Sequence, residues 1–238
     1  MSQTALILGA TGQTGGFLLK ELLASPHFTR VWEFGRRTTS LDSLPTGKDK
    51  LEQKTIDFEK PEEAGLREGK WDVVFIALGT TAKAAGSSEA FERIDREYVI
   101  NAARAAKGDH PQRLIYVSSG GANSKSRFLY PRSKGLTEEG LASLGYADTI
   151  VFRPGLLTAT KRPETRIAET IAGYITPILS FVTSNAEIKI STLAKSLVKA
   201  GQLGTAGLPP AVGATQDGTN GARFTLVTNA GALALARD

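Results

Sequence analysis

The feature that most restricts the fold is the alternation of short apolar runs with helix-period segments in residues 4–155. The apolar runs have the length of buried strands, and parallel strands need a crossover between them, usually a helix. Right-handed crossovers of this kind build a doubly wound parallel sheet with helices on both faces. We therefore predict an α/β protein with a Rossmann-type fold.

The predicted strands are Thr4–Leu8, Val31–Phe34, Thr55–Phe58, Val73–Leu78, Leu114–Val117 and Thr149–Phe152. The predicted helices between them are Thr14–Ala24, Ser88–Ala106 and Arg132–Leu144. Within the second of these helices, an apolar stripe at helical spacing is predicted for Phe91, Ile94, Tyr98 and Ala102.

The first strand leads directly into the glycine-rich turn Gly9-Ala10-Thr11-Gly12-Gln13-Thr14-Gly15, and a helix follows at once. Glycines let the backbone turn tightly and approach a pyrophosphate, whose charge meets the free N–H groups at the helix start. This context is the fingerprint of a dinucleotide site, and a plain strand-to-helix turn is the alternative. The predicted cofactor contacts here are Gly9, Thr11, Gly12, Gln13, Thr14 and Gly15.

The pattern changes after residue 155. An apolar segment at Ile167–Val182 is followed by a helical stretch at Thr192–Gln202, a Gly/Pro-rich passage at 204–222 and a strand-like Phe224–Thr228. This part is too small for an independent core. We predict a single domain over residues 1–238, with a cofactor-binding core at 1–155 and a small C-terminal substrate-side extension at 156–238.

The residues after the second strand indicate which dinucleotide is bound. An acidic side chain here usually meets the 2′-hydroxyl of NAD, whereas this chain has Arg36 and Arg37. Two guanidinium groups suit a 2′-phosphate through charge-assisted hydrogen bonds, so NADP(H) is the predicted cofactor. Two solvated loop arginines are the alternative. Glu33 lies inside the strand and is expected to point away from the ribose.

Further candidates lie where other predicted strands end, because these ends share one edge of a parallel sheet. Asp57 closes the third strand and is expected near the adenine, and Gly79 and Thr80 close the fourth and are expected near the nicotinamide ribose. The remaining predicted cofactor contacts at these ends are Phe58, Leu78, Arg153 and Pro154.

Composition excludes several other chemistries. The chain has no cysteine, so disulfides, a thiolate nucleophile and Cys-ligated zinc are excluded. His27 and His110 each lie among loop-like neighbours, so no metal site or histidine triad is predicted. The net charge of +5 is spread along the chain without a basic run, so no nucleic-acid partner is predicted.

The fifth strand ends at Ser118-Ser119-Gly120-Gly121, and Tyr130-Pro131-Arg132-Ser133-Lys134 follows. A Tyr and a Lys four residues apart share one helix face, where the ammonium lowers the pKa of the phenol from about 10. The phenol then serves as an acid while a strand-end serine holds a substrate carbonyl. A core-packed Tyr beside a snorkelling Lys is the alternative. Because Pro131 disfavours helical geometry before it, Tyr130 is expected at the helix entrance.

Taken in order, GATGQTGG, GRR, SSGG, YPRSK and FRPG resemble the short-chain dehydrogenase/reductase superfamily. Within it the chain is most similar to the atypical branch of the Tat-interacting oxidoreductase-like proteins and their fungal mitochondrial-proteome relatives. The shared features are the TGxTG-type loop, the arginine pair, the short gap from serine to tyrosine, and Lys-Gly after the tyrosine motif.

The resemblance implies an NADP-binding protein with Ser119, Tyr130 and Lys134 as catalytic residues, the last two also contacting the cofactor. Ser118 is the alternative serine. Many members carry an asparagine at the position of Asp95. This aspartate departs from the family pattern for a proton relay through that helix. The implied activity is hydride transfer between nicotinamide and a small carbonyl or alcohol substrate.

The same resemblance implies a cytoplasmic protein or one peripheral at the mitochondrial outer membrane, as a monomer or a homodimer. A different interpretation is a regulator or scaffold that binds NADP(H) and a protein partner without turnover. Peripheral membrane contact through Ile167–Val182 is a third. We prefer a pocket-lining or dimer-contact helix for that segment because Pro177 would kink it.

Overall fold

This computed structural model describes residues 2–158, 187–219 and 221–237. The strands are β1 (Gln3–Leu8), β2 (Phe28–Gly35), β3 (Leu51–Thr55), β4 (Val73–Ile76), β5 (Arg113–Val117), β6 (Asp148–Arg153), β7 (Leu156–Thr158), β8 (Glu187–Lys189), β9 (Thr215–Thr219) and β10 (Ala222–Thr228). The α-helices are α1 (Gln13–Ala24), α2 (Ala82–Ala85), α3 (Ser88–Glu92), α4 (Tyr98–Ala106), α5 (Leu129–Ala142), α6 (Ile190–Gly207) and α7 (Asn229–Leu235). A π turn at Arg93–Glu97 joins α3 to α4.

The main sheet has eight strands in the order β3-β2-β1-β4-β5-β6-β10-β9. All neighbouring pairs are parallel except β9 and β10, which are antiparallel. β7 and β8 form a separate parallel pair. The order runs outward from β1 in both directions, so the predicted doubly wound fold is confirmed. Ligands bind such sheets where the order reverses, beyond the carboxyl ends of β1 and β4.

Two apolar layers cover the sheet because successive strand residues point to opposite faces. Ile7 faces the layer formed by α1, α6 and α7, and Leu6 faces the layer formed by α4 and α5. Both strand residues are completely buried. A strand buried on both sides reads as a continuous apolar run, which is why β1, β4 and β6 were recognisable in the sequence.

The third predicted strand was placed wrongly. It was expected at Thr55–Phe58, but β3 occupies Leu51–Thr55 and pairs with β2 from Leu51 opposite Val31 to Thr55 opposite Gly35. β3 is an edge strand with mostly exposed polar side chains, so it lacks an apolar run. Ile56 and Phe58 are buried, but they lie in the segment after the strand.

The described part of residues 156–238 joins the main sheet. β10 pairs with β6, and β9 adds the edge strand beyond it. α6 packs against α1 on one face of the sheet. β10 and α6 include the predicted Phe224–Thr228 strand and Thr192–Gln202 helix, but β9 lies in the Gly/Pro-rich passage where no strand was predicted.

We expect Gly201→Ala to destabilise the fold. A Cβ atom at position 201 in α6 would lie 2.3 Å from Cζ of Phe75, whose ring is buried edge-on against Phe28. Alanine gains about 1 kcal/mol in helix propensity, but overpacking of this kind costs about 1–3 kcal/mol. Urea unfolding should therefore show a lower free energy of unfolding.

The control is the same substitution in a Phe75→Leu background, where the smaller side chain leaves room for the added methyl group. Gly201→Ala should cost less there than in the wild-type chain. Equal effects in both backgrounds would contradict the packing described for α6.

Candidate functional site

The glycine turn between β1 and α1 is built on close backbone contacts. Gly9 has a φ of +93°, a conformation that residues with side chains rarely adopt. A Cβ atom on Gly9 would lie 2.7 Å from the carbonyl carbon of Ala77, and one on Gly15 would lie 2.0 Å from the carbonyl oxygen of Gly9. Neither position has room for a side chain. Glycine at both positions lets α1 start directly against the end of β1.

The first turn of α1 borders an open cleft. Gly12 is the N-cap residue, and Thr11, Gly12 and Gln13 are exposed while Thr14 is half-buried. The first N–H groups of a helix have no acceptor within the helix and carry the positive end of its dipole. A phosphate group is a well-matched ligand for such a helix start.

The cleft has a volume of about 410 Å³ and extends from α1 to the segment after β2. Lys20 and Arg37 contribute its positive charges, and threonine and serine hydroxyls line the space between them. Arg36 is exposed next to Arg37 but does not line the cleft. Neither arginine forms an ion pair with another residue in the described ranges. Both guanidinium groups are therefore available to an anionic ligand.

Glu33 organises the segment that carries these arginines. Its side chain is buried, and its carboxylate accepts hydrogen bonds from the backbone N–H of Thr39 (2.9 Å), the hydroxyl of Thr39 (2.8 Å) and the amide of Gln53 (2.7 Å). Sequence reasoning expected Glu33 to turn away from the cleft but missed this anchoring role. The carboxylate of Glu33 is therefore occupied by hydrogen bonds from within the protein.

Lys134 lies at the centre of a second group of residues. Its Nζ lies 2.9 Å from Oδ1 of Asp95, donates to the hydroxyl of Tyr116 at 3.3 Å and lies 6.0 Å from the ring centre of Tyr130. Burial alone would lower the pKa of Lys134, but Tyr116 and Asp95 outweigh burial and hold this pKa well above its ordinary value. Lys134 is therefore an ammonium at neutral pH.

The π turn places Asp95 beside Lys134. A π turn has i→i+5 hydrogen bonds and so accommodates an extra residue, which moves the buried face along the helix. The predicted stripe continued through Ile94 and Tyr98, but the fully buried residues are Asp95 and Val99. The stripe prediction was wrong by one residue at Ile94 and Tyr98, whereas Phe91 and Ala102 are buried as predicted. A carboxylate therefore lies on the buried face of this segment, which was predicted to be apolar.

Two buried polar atoms near this contact have no hydrogen-bond partner among the described residues. They are Oδ2 of Asp95 and Oγ of Ser133. Thr137 connects their backbones, since its hydroxyl lies 2.8 Å from the carbonyl oxygen of Ser133 and 3.4 Å from that of Asp95. An unpartnered buried polar atom costs about 1–3 kcal/mol. Such costs concentrate at functional sites.

Tyr130 lies in the first turn of α5, which begins at Leu129, three residues before the predicted start. Proline is tolerated there because the first N–H groups of a helix have no internal acceptor, so Pro131 does not delay the helix. Tyr130 is 44% exposed and packs beside Phe91 with ring centres 5.9 Å apart. Its phenol is therefore accessible to a substrate.

The two serines after β5 differ in their contacts. Ser118 is buried and its hydroxyl donates to the carboxylate of Glu138. Ser119 is half-buried, and its hydroxyl makes no hydrogen bond within the described part of the chain. The free hydroxyl belongs to Ser119, the serine that the sequence favoured.

Arg153 and Pro154 are engaged within the protein. The guanidinium of Arg153 binds Glu138, with Nε 2.9 Å from Oε1, and lies 2.9 Å from Oδ2 of Asp217 on β9. The carbonyl oxygen of Pro154 accepts from the backbone N–H of Gly120 at 2.9 Å. These contacts connect the loops after β5 and β6 beside a second cavity of about 390 Å³.

The other predicted strand-end residues differ in exposure. Leu78 and Thr80 are half-buried and Gly79 is exposed, and all three follow β4 next to the glycine turn. Asp57 is exposed, and its Oδ1 accepts from the backbone N–H of Glu59 at 2.9 Å. The side chain of Phe58 is buried against Tyr98 instead of facing an open cleft.

A family model described as NAD(P)H-binding matches residues 9–177. The chain belongs to the NAD(P)H-binding family. The rat protein HTATIP2 is 35% identical to this chain over 194 residues, covering 76% of this chain and 78% of that protein. The mitochondrial protein fmp52 of Emericella nidulans is 36% identical over 186 residues, covering 78% of this chain and 79% of that protein. The resemblance stated from the sequence motifs is confirmed.

Solved structures with low sequence identity show the same Rossmann-type fold. The nucleoside-diphosphate-sugar epimerase from Agrobacterium tumefaciens has a TM-score of 0.66 at 15% identity, covering 88% of this chain and 72% of that chain. The Bordetella bronchiseptica enzyme WbmF, solved in complex with NAD+, has a TM-score of 0.61 at 14% identity, covering 87% and 71%. At such identities the likeness establishes the fold.

Residues 2–158, 187–219 and 221–237 lack two features. No group of three acidic or histidine side chains there could hold a metal ion. None of the helices described is long and apolar enough to cross a membrane. The apolar segment Ile167–Val182 lies outside these ranges.

We expect Gly15→Ala to weaken NADPH binding by about tenfold or more, equivalent to about 1.4 kcal/mol. The added Cβ would lie 2.0 Å from the carbonyl oxygen of Gly9, so α1 could not keep its contact with β1. Fluorescence titration with NADPH measures the loss, and the melting temperature checks that the variant folds.

Gly16→Ala is the matched neighbour, because its Cβ would lie 3.4 Å from the nearest backbone atom. This variant should lose much less affinity. Wild-type affinity in Gly15→Ala would contradict the role of the glycine turn.

Proposed function

We propose that this protein is an NADP(H)-dependent oxidoreductase that transfers a hydride between nicotinamide and a small carbonyl or alcohol substrate. The observation that carries the proposal is the buried ammonium of Lys134 beside the accessible phenol of Tyr130. Lys134 lies near Gly79, which follows β4 at the edge of the sheet that also carries the glycine turn. A fixed cation next to a phenol suits proton transfer to a carbonyl oxygen.

The start of α1 fits the diphosphate of such a cofactor. Gly9 and Gly15 have no room for a side chain, because neighbouring backbone atoms lie against both of them. The first N–H groups of α1 border the cleft. The cofactor contacts proposed there are Gly9, Thr11, Gly12, Gln13, Thr14 and Gly15. When bound, a nicotinamide supplies the hydride, and the chain supplies position and protons.

Each member of the proposed catalytic group has a distinct role in carbonyl reduction. Tyr130 donates its phenol proton to the substrate oxygen. Lys134 lowers the energy of the resulting phenolate by its positive charge. Ser119 donates a hydrogen bond to the same substrate oxygen and so orients the carbonyl. Ser118 is less suited because its hydroxyl is bound to Glu138.

The preference for the phosphorylated cofactor is supported by the charges after β2. Arg36 and Arg37 are exposed without an acidic partner among the described residues, and Lys20 faces Arg37 across the cleft region. The acid of this strand, Glu33, is buried and fully engaged. A 2′-phosphate therefore meets two cations, whereas a 2′-hydroxyl meets no available carboxylate on β2.

The Arg36→Ala/Arg37→Ala variant is expected to lose affinity for NADPH by at least about tenfold, since charge-assisted hydrogen bonds contribute about 1.5–3 kcal/mol. Its affinity for NADH should remain close to the wild-type value. Isothermal titration with both cofactors gives the comparison.

Arg30→Ala/Arg67→Ala is the matched control, because it removes the same charge from two exposed arginines paired with Glu52 and Asp109. This control should retain its preference for NADPH. An equal loss for both cofactors in the Arg36/Arg37 variant would contradict the phosphate assignment.

Tyr130→Phe is expected to reduce kcat/KM for carbonyl reduction by about 10²–10⁴-fold, the usual contribution of a general acid. The affinity for NADPH should change little. Tyr146→Phe is the control, since it removes a buried phenol that donates to the carbonyl oxygen of Ala103 at 2.7 Å, away from Lys134. Oxidation of NADPH with a panel of aldehydes, ketones and quinones provides the measurement.

The regulator or scaffold hypothesis makes the opposite prediction for that panel. Tight NADPH binding by the wild-type protein with no turnover of any carbonyl would favour it. The accessible phenol of Tyr130 beside a charged Lys134 supports the enzyme, because a cofactor sensor has no need for an acid.

Location and assembly stay predictions. We propose a cytoplasmic protein or one peripheral at the mitochondrial outer membrane. The relatives named fmp52 carry the word mitochondrial in their names, which supports the mitochondrial part of this proposal. The partners proposed are a small carbonyl or alcohol substrate and, for a homodimer, a second copy of the chain.

A further inference from the structure

The contact between Asp95 and Lys134 differs from surface ion pairs because both side chains are buried. They are 0% and 6% exposed, and Oδ1 lies 2.9 Å from Nζ. The same Oδ1 accepts a hydrogen bond from the backbone N–H of Thr80 at 3.3 Å, so the carboxylate is anchored just beyond β4. A buried charge requires a partner at contact distance. Asp95 and Lys134 therefore serve as counter-ions for each other inside the protein.

The other groups near Lys134 are two phenols and a carboxylate that is bound elsewhere. From β5 Lys134 faces the phenol of Tyr116, whose pKa is raised by burial, and from its own helix the phenol of Tyr130. Glu138, one turn further along α5, is bound by Ser118 and Arg153. Within the described ranges, Asp95 is the only carboxylate in contact with Lys134.

The unpartnered Oδ2 argues against a purely structural role for Asp95. A residue retained to complete a hydrogen-bond network would have both oxygens bonded. An asparagine would occupy the same space and accept from Thr80 without burying a charge. What the carboxylate adds over the amide is its negative charge, and that charge lies against Lys134.

We propose that Asp95 is a positioning residue that holds Lys134 in place as a permanent ammonium beside Tyr130. The role of Asp95 in turnover rests on the proposed function, in which Tyr130 is the general acid. When Tyr130 gives its proton to the substrate oxygen, the new phenolate competes for a proton of Lys134. Asp95 stabilises the ammonium from the other side, so the nitrogen keeps its proton. Solvent returns a proton to Tyr130, which is 44% exposed.

The test measures the charge of Lys134 directly. Full-length protein labelled with ¹⁵N-lysine is titrated by NMR, and Lys134→Arg identifies the Nζ signal. In Asp95→Asn the ammonium loses its counter-ion, and burial then lowers the pKa of Lys134. We expect its titration to move down by at least about one pH unit relative to the wild-type protein. The alkaline limb of kcat/KM should move in the same direction.

Ser133→Ala is the matched control, because it alters the other buried unpartnered polar atom without changing charge. The titration of Lys134 should be unchanged in this variant. A folded Asp95→Asn variant with the wild-type titration of Lys134 overturns the inference.

Asp95→Asn could also fail to fold, since it leaves a buried ammonium unpaired. The double variant Asp95→Asn/Lys134→Met then removes both charges. It should fold if the single variant fails only because it leaves the ammonium of Lys134 without a counter-ion. Failure of this double variant to fold assigns Asp95 a structural role and overturns the inference.

The NMR titration does not depend on turnover, so it separates the inference from the proposed function. If the wild-type protein shows no turnover but the pKa of Lys134 is lower in Asp95→Asn, the proposed function is contradicted. The inference that Asp95 keeps Lys134 charged is then supported. Turnover together with an unshifted Lys134 contradicts the inference alone.

Discussion

The site depends on how closely two pieces of backbone approach each other at the end of β1. Gly9 lies against the chain after β4, and Gly15 lies against Gly9. These contacts allow α1 to begin immediately beyond the strand, with its N–H groups at the edge where the strand order reverses. The location of the cleft and its suitability for a diphosphate both follow from the same absence of side chains.

Charge is distributed differently at the two ends of the site. The cleft beside α1 has solvent-exposed cations, whose attraction for a ligand is screened by salt. Lys134 is enclosed by protein, so its interaction with Asp95 is screened far less. The first arrangement suits a ligand that arrives and leaves. The second suits a charge that must stay in one place while a neighbouring group gains and loses a proton.

Most of the fold was predictable because its central strands are buried on both faces, as β1 and β4 illustrate. β3 and β9 were misplaced or missed because edge strands carry polar residues and lack that signal. Of the site, the glycine turn follows from local backbone geometry. The contact between Asp95 and Lys134 was not predictable, because it depends on how the π turn packs against α5, and no local pattern places a carboxylate opposite that lysine. The anchoring of Thr39 by Glu33 likewise depends on tertiary structure.

The position of β10 has a consequence for how the chain is made. Ile150 in β6 pairs with Thr225 in β10, so one side of β6 stays open until Ala222–Thr228 has been synthesised. Pairings between residues so distant in sequence form slowly. Until β10 has been synthesised and has paired with β6, a nascent chain presents an unprotected apolar strand edge, the kind of surface that chaperones cover and that other chains can join.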